Sequence, residues 1–368
     1  MCYILQYGRI DYGTAVHQIL SSDTDSLHLS AYLFNVTNAH RFLSGEDTKL
    51  RVQEVGPFTY QENRSHDKLT IDTQRGVMGY IPRHRVTFLP EESVGRPEDM
   101  QVTMPNVALM ASKLSSYSYF PKMGFNLLTS RLDSKAIISM SAQEYLWGYD
   151  EPLIKLGNEV LPGWIDFSKF GLLDRVRRSK CNTFTDVYEG IAYPPDLQSS
   201  RPLRIYRPIL CRFFELDYLG TKHTEYGTDA LAYKISNRTY FKLPENNCLC
   251  SNGICRDGIS DMSPCFYVLS NAHFMDADPS VYERIEGLTP NEEDHGSDFT
   301  IDPLMGISLT TKFSIQINVI LGDVSYNSRV NKFSNMLVPV ANFRSVSKGK
   351  LWHYEHQGEH RDRDGVIN

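Results

Sequence analysis

The sequence predicts an α+β protein in which one helical segment interrupts a chain of β-strands. Within residues 106–156, apolar side chains such as Val107, Met110 and Leu114 recur at helical spacing. In contrast, residues 312–321 alternate between apolar and polar side chains, which is the period of a strand. The 21 tyrosines and 18 phenylalanines also favour β structure. Helices confined to one segment between β-rich regions are typical of the α+β class.

The β-rich regions contain recognisable strand and turn signals. Strands are expected over residues 30–40, 50–60, 204–218 and 229–243, and a hairpin over 67–85 with its turn near 74–76. The Gly56-Pro57 pair is expected to stop regular pairing and to bend the chain.

Three helices are expected in the helical segment. The first covers residues 106–120 and ends because Pro121 breaks it. The helical pattern resumes over residues 125–136. Ser141 and Glu144 have the spacing of a capping box at the start of a third helix.

Length and charge limit the function classes. A chain of 368 residues holds one large domain or two ordinary ones. Its net charge of −6 gives no reason to expect a nucleic-acid partner. No run approaches the roughly 20 apolar residues that span a bilayer, and residues 1–9 do not form a signal peptide. Residues 345–368 are charged and lack periodicity, which predicts a disordered tail.

Six of the seven cysteines are clustered between residues 181 and 265. They are Cys181, Cys211, Cys248, Cys250, Cys255 and Cys265, whereas Cys2 stands apart. Such a cluster favours three disulfides, which form on the cell exterior or in an endosomal lumen. Zinc is the alternative, although the spacing departs from the paired CxxC motifs of structural zinc sites.

Three N-x-S/T sequons, at Asn35, Asn63 and Asn237, add to the secretory interpretation. If the protein enters the endoplasmic reticulum, these asparagines are the expected glycan acceptors, on surface turns or edges.

Motifs of common enzyme classes are absent, because the chain lacks Gly-x-Ser-x-Gly, HExxH and Walker A sequences. One loop, residues 291–295, places carboxylates beside His295, and it is interpreted either as a structural polar loop or as a catalytic one. His353, His356 and His360 lie in the predicted tail, where no scaffold fixes a metal geometry.

The break in the helical segment combines apolar and basic residues. Phe120 and Met123 lie there, with Lys122, Arg131 and Lys135 nearby. Two interpretations stay open. The apolar residues belong to the core, or they form an exposed patch whose basic rim suits an amphiphile with an anionic head.

An ordered series of motifs resembles the class B scavenger receptor family over about residues 28–343. The series is YLFNVTN (32–38), VGPFTY (55–60), SVG (93–95), LWGY (146–149), the six cysteines, GLTPNEEDH (287–295), IDPLMGISL (301–309) and INVIL (317–321). Together they divide the chain into an N-terminal segment (1–27), a receptor ectodomain (28–344) whose helices lie at about 106–156, and a divergent tail (345–368).

The resemblance implies an ectodomain with a large antiparallel β-barrel core, a helical bundle at the membrane-distal apex and an apolar tunnel. It implies a non-enzymatic receptor without cofactor or bound metal, placed at the plasma membrane or in endosomes and lysosomes. The ligands of the family are fatty acids, sterols, phospholipids and lipoproteins. A lysosomal sorting receptor that carries a hydrolase through its apex helices is the alternative function, and a secreted hydrolase is a third.

Site residues are also implied by the resemblance. It predicts the disulfides Cys181–Cys248, Cys211–Cys265 and Cys250–Cys255, and ligand contacts at Phe120, Lys122, Met123, Arg131 and Lys135. The match to the family's basic ligand helix is partial, because Asp133 replaces one basic residue. The sequence also departs from the family in a shortened stretch between Tyr149 and Cys181, where barrel strands are expected to be missing. Met140 stands where the lysosomal member has a histidine.

Overall fold

A computed structural model describes residues 10–22, 24–110, 119–160, 169–170, 172, 187–188, 190–207, 210, 212–224, 227–241, 257–261 and 267–348. The strands in these ranges are β1 (Thr24–Val36), β2 (Leu50–Asp72), β3 (Val77–Phe88), β4 (Gln101–Pro105), β5 (Ile137–Ser141), β6 (Leu203–Arg207), β7 (Arg212–His223), β8 (Asp229–Ile235), β9 (Ile259–Asp261), β10 (Val268–Ser270), β11 (Ile285–Glu286), β12 (Asp298–Asp302), β13 (Ile307–Leu321) and β14 (Met336–Lys348).

The α-helices of the described residues are short and lie mainly between residues 107 and 160. They are α1 (Ala15–Ser21), α2 (Ala39–Ser44), α3 (Val107–Met110), α4 (Tyr119–Arg131), α5 (Ala142–Trp147), α6 (Pro152–Val160) and α7 (Glu292–His295). Within the described ranges, no helix has the length and hydropathy needed to cross a bilayer.

Twelve strands form one mostly antiparallel sheet, which confirms the α+β class. The order along the sheet is β11-β2-β1-β14-β13-β12-β8-β7-β6, with β3 beside β2 and with β10 joining β13 to β9. Strands β4 and β5 form a separate pair. Among the described residues the path of paired strands stays open between β11 and β6, so no closed barrel is found there.

Different segments of the chain lie at the two ends of this sheet. Leu27 near the start of β1 pairs with Ser347 near the end of β14, so the chain enters and leaves the sheet at one end. At the opposite end Leu321 pairs with Met336, and residues 322–335 connect the two strands there. Helix α4 contacts this connection, and therefore lies at the end opposite to that of Leu27.

The central strand β13 is buried on both faces. Phe313, Ile315 and Ile317 enter the apolar core on one side, as the alternating pattern predicts. On the other side Gln316 and Asn318 are completely buried, and Gln316 Nε2 donates to Asn318 Oδ1 at 2.7 Å. The polar face of the pattern is thus covered by other parts of the chain and satisfied by internal hydrogen bonds.

Several local predictions are confirmed. The hairpin of β2 and β3 turns between Asp72 and Val77. The capping box is present, because Ser141 Oγ accepts from the Glu144 N–H at 3.2 Å and Glu144 Oε2 accepts from the Ser141 N–H at 3.0 Å.

The Gly56-Pro57 prediction is confirmed in part. Regular pairing of β1 with β2 is interrupted there by a register shift, although strand β2 continues through Gly56, where a Cβ atom would lie 2.7 Å from the Ala31 carbonyl oxygen. Two other local predictions are wrong in detail. Pro121 lies in the first turn of α4, where N–H groups lack helical partners and proline is tolerated. Strand β14 extends to Lys348, so the first four residues of the expected tail belong to the sheet, since backbone pairing needs no side-chain periodicity.

Candidate functional site

Helix α4 presents an outward stripe of two apolar residues and one cation. Met123, Leu127 and Arg131 are four residues apart, and this spacing places them on one face of a helix. The side chains of Met123 and Leu127 are 56% and 71% exposed. Arg131 is also exposed and ends the helix. We call these three residues the α4 stripe.

A different face of α4 is fixed to the connection between β13 and β14. Asn126 Oδ1 accepts from the Ser328 N–H at 3.2 Å. Asn327 Nδ2 donates to the buried Thr129 Oγ1 at 3.3 Å. Arg329 donates to the Ser130 carbonyl oxygen at 3.2 Å. These hydrogen bonds hold part of the polar face inward, whereas surface helices usually turn their apolar face to the protein.

The basic residues of the predicted ligand site do not all lie on the same face of α4. Lys122 Nζ lies 5.1 Å from the centre of the Tyr326 ring. It also faces Asp323, whose carboxyl pKa is lowered mainly by hydrogen bonds from Ser325 and to a smaller extent by Lys122. Lys122 is therefore directed towards the β13–β14 connection, away from the α4 stripe.

The structure thus brings together part of the predicted ligand site. Met123 and Arg131 share the stripe, while Lys135 is exposed just after the helix. The side chain of Phe120 lies outside the described residues. Leu127 is the residue that sequence reasoning missed, although its spacing of four from both Met123 and Arg131 was a usable signal.

A second cluster is buried and joins parts of the chain that are distant in sequence. His273 lies in a tight turn, Ala272–Phe274, and its Nε2–H donates to Glu54 Oε2 at 2.6 Å. His273 Nδ1 accepts from the Thr289 N–H at 3.0 Å. The backbone N–H of His273 donates to Gln316 Oε1 at 2.7 Å. All hydrogen-bonding groups of this imidazole are therefore used internally.

His295 is the third residue of this cluster. It lies in the loop of residues 291–295, for which the sequence left a structural and a catalytic interpretation open. Its ring stacks on His273 with centres 4.1 Å apart and planes inclined by 15°. Its Nδ1 accepts from the Asn291 N–H at 3.0 Å. Burial lowers the pKa of His295, and the neighbouring His273 lowers it further. We call Glu54, His273 and His295 the imidazole–carboxylate cluster.

The spacing of this cluster invites a metal ion, but its hydrogen bonds do not suit one. One ligand atom from each residue lies within 4.8 Å of the others. However, a backbone N–H donates to Nδ1 of each imidazole, so the single proton of each neutral ring is on Nε2. A metal at Nε2 needs a lone pair there and a proton on Nδ1. The three residues therefore fit a structural hydrogen-bond network better than a metal site. Because His295 faces inward in this network, residues 291–295 are better interpreted as a structural loop than as a catalytic one.

Of the predicted disulfide and glycosylation sites, only the glycosylation sites lie among the described residues. The six clustered cysteines lie outside the described residues, so the three disulfides stay a prediction. Asn35 and Asn63 lie within strands β1 and β2, away from turns, and both are half-buried. Asn237 begins a turn, where its Nδ2 donates to Asp276 Oδ2 at 3.1 Å. Glycosylation of all three stays a prediction.

Comparison with known proteins identifies the class. A family model described as the CD36 family matches residues 9–190 and 173–353. The chain therefore belongs to the CD36 family, that of the class B scavenger receptors.

Named relatives agree with this assignment. The chain is similar to scavenger receptor class B member 1 of Bos taurus, with 25% identity over 92% of this chain and 74% of the relative. It is also similar to lysosome membrane protein 2 of Homo sapiens, with 25% identity over 84% of this chain and 72% of the relative. Protein peste of Drosophila melanogaster is 23% identical over 85% of this chain and 64% of its own length.

Proposed function

We propose that the protein is a class B scavenger receptor that binds lipids or lipoproteins at a membrane through the α4 stripe. The observation that carries the proposal is the outward orientation of Met123 and Leu127 beside Arg131. Exposed apolar residues rimmed by polar ones are typical of interaction sites, since they gain free energy when a partner covers them. An anionic amphiphile has an apolar chain that can contact Met123 and Leu127 and a charged head group that can contact Arg131.

Apolar contact and charge have different parts in this proposal. Burial of an acyl chain contributes about 0.8 kcal/mol per methylene group, so it accounts for most of the affinity. Attraction between Arg131 or Lys135 and an anionic surface is screened over about 10 Å at 0.1 M salt. Charge therefore mainly raises the association rate and discriminates between head groups.

The family resemblance adds a path for the acyl chain, because it implies an apolar tunnel behind the helices. The proposal places the receptor at the plasma membrane or in endosomes and lysosomes, facing the exterior or the lumen, without a catalytic role. Relatives named as a scavenger receptor and as a lysosome membrane protein support this placement.

Binding of an oxidised, anionic lipoprotein to immobilised protein tests the proposal. The double substitution Arg131→Glu and Lys135→Glu is expected to weaken binding about tenfold or more at 50 mM salt and much less at 300 mM. Arg131→Glu alone is compared with Lys122→Glu on the same helix, since each changes the charge by two units. Because Lys122 faces Tyr326, its substitution should have the smaller effect. Leu127→Ser is expected to weaken binding at both salt concentrations.

Unchanged binding of the Leu127→Ser and double-charge variants would exclude the stripe as the lipid site. If, instead, these variants lost a co-purifying hydrolase at neutral pH and kept their lipid, the sorting-receptor alternative would replace the proposal.

A further inference from the structure

The hairpin of β2 and β3 extends well beyond the rest of the sheet at the end where β1 begins. Pairing between β1 and β2 ends at Thr24 and Arg64, whereas pairing between β2 and β3 continues to Asp72 and Val77. The eight residues of β2 beyond Arg64 span about 25 Å at the rise of a strand. The hairpin therefore projects past the end of the sheet at which β14 also terminates.

Residues 12–20 lie along this hairpin, with Tyr12 near its tip and Leu20 near its base. His66 Nδ1–H donates to the Leu20 carbonyl oxygen at 2.9 Å, near the base of the projection. Tyr12 Oη accepts from the Ile71 N–H at 3.0 Å, close to the tip. Residues 10–12 thus lie beside the tip of the hairpin.

Exposed apolar side chains collect on this hairpin and beside it. Of the ten large apolar residues that are exposed in the described ranges, four lie on the hairpin or in residues 10–12: Ile10 (39%), Tyr12 (58%), Val77 (58%) and Ile81 (50%). Val77 and Ile81 share one face of β3, since they are separated by an even number of residues. Arg83 and Arg85 continue the same face towards the base of the hairpin, and both are exposed.

The charge of the hairpin is opposite to that of the chain. Residues 65–85 contain four Lys or Arg and two Asp, a net charge of +2, while the whole chain carries −6. Asp67 contacts Arg83, and Asp72 lies 3.7 Å from Arg75, so Lys68 and Arg85 supply the excess positive charge. The surface therefore combines exposed apolar residues, a tyrosine and an excess of cations.

We propose that the hairpin tip and residues 10–12 form a membrane-contacting surface that prefers bilayers with anionic head groups. Val77 and Ile81 enter the boundary between head groups and acyl chains, and the long basic side chains reach the phosphates. Val77 and Ile81 are exposed along the edge of a projecting strand beside cations, and such an extended apolar edge suits the fluid surface of a bilayer. Tyrosine is also enriched at the membrane interface.

Flotation of the full chain with lipid vesicles tests this proposal. The parent protein is expected to float with vesicles of 70% phosphatidylcholine and 30% phosphatidylserine, and less with phosphatidylcholine alone. Lys68→Gln combined with Arg75→Gln removes two exposed cations from the projecting part of the hairpin and should lower partitioning into the anionic vesicles about 30-fold. Val77→Ser combined with Ile81→Ser should lower partitioning into both kinds of vesicle. A Ser65→Ala background removes the sequon at Asn63, so that a glycan there is not a variable.

A control elsewhere on the sheet separates this surface from others. Val94→Ser combined with Arg96→Gln changes an exposed apolar residue and an exposed cation beside Pro57, away from the hairpin tip, and should leave flotation unchanged. The proposal is overturned if the parent does not float with anionic vesicles. It is equally overturned if the hairpin variants float like the parent, or if the Val94 and Arg96 control loses flotation to the same extent.

Discussion

The α4 stripe and the imidazole–carboxylate cluster combine similar groups in opposite settings. In the α4 stripe, Arg131 and two apolar residues face solvent, and the hydrogen bonds that hold the helix come from another face. In the cluster, His273 is 4% exposed, and its hydrogen bonds are all made within the protein. Exposed groups are available to a ligand at little cost in stability, whereas buried groups already stabilise the fold. The first region is therefore expected to bind, and the second to hold loops together.

The largest expected effect is a loss of stability on removing the buried imidazole. His273→Ala leaves the Thr289 N–H without its acceptor and Glu54 without its donor, so the free energy of unfolding should fall by about 2–4 kcal/mol. Urea unfolding followed by circular dichroism measures this change.

An exposed pair in the same protein provides the matched control. His28 Nδ1 lies 2.8 Å from Glu92 Oε2, but both side chains are more than a third exposed. His28→Ala should therefore change the free energy of unfolding by less than about 1 kcal/mol. Equal losses for the two variants would show that burial does not distinguish the two histidine–glutamate pairs.

A smaller effect is expected when pH is lowered, because burial lowers the pKa of His295. The unfolded chain then takes up a proton first, as pH falls below the ordinary value of about 6.5. Stability should decline from there until pH reaches the lower pKa of the folded state, and level off below it. The groups that face His295 are His273, Glu54, Arg344 and Asp294.

Urea unfolding between pH 7.5 and 4.5 measures this decline. Because carboxylates also contribute in acid, the informative quantity is the difference between the parent and His295→Asn, whose side-chain oxygen can still accept from the Asn291 N–H. Parallel pH profiles for the two proteins would remove His295 as the source of the decline.

The smallest effect is expected at the α4 stripe. Leu127→Ser should change the free energy of unfolding by less than about 0.5 kcal/mol, since Leu127 is 71% exposed. Thr129 lies two residues further along the same helix. Thr129→Ala should lower the free energy of unfolding by about 1–3 kcal/mol, because the buried Asn327 side chain loses its hydrogen-bond acceptor. Thermal unfolding of both variants checks this contrast, and a large loss for Leu127→Ser would mean that the residue packs against the protein.

Local patterns predicted local structure well. The capping box at Ser141 and the hairpin turn after Asp72 are confirmed, because each depends on residues a few positions apart. Strand β13 is confirmed by its alternation, but burial of Gln316 and Asn318 was not predictable, since it depends on segments packed from elsewhere. Pro121 misled the helix prediction because a proline signals a first turn as readily as a break.

The sequence by itself determined the family, the α+β class and the basic and apolar composition of the helical segment, since ordered motifs and short-range periodicity are written in the chain. Tertiary structure decided which of those residues face solvent: Lys122 turns to Tyr326, while Leu127 joins Met123 on the outside. It also decided that His273 meets Glu54, which is 219 positions away. No local period specifies such a contact, because it arises only when the strands and loops that carry the two residues pack together.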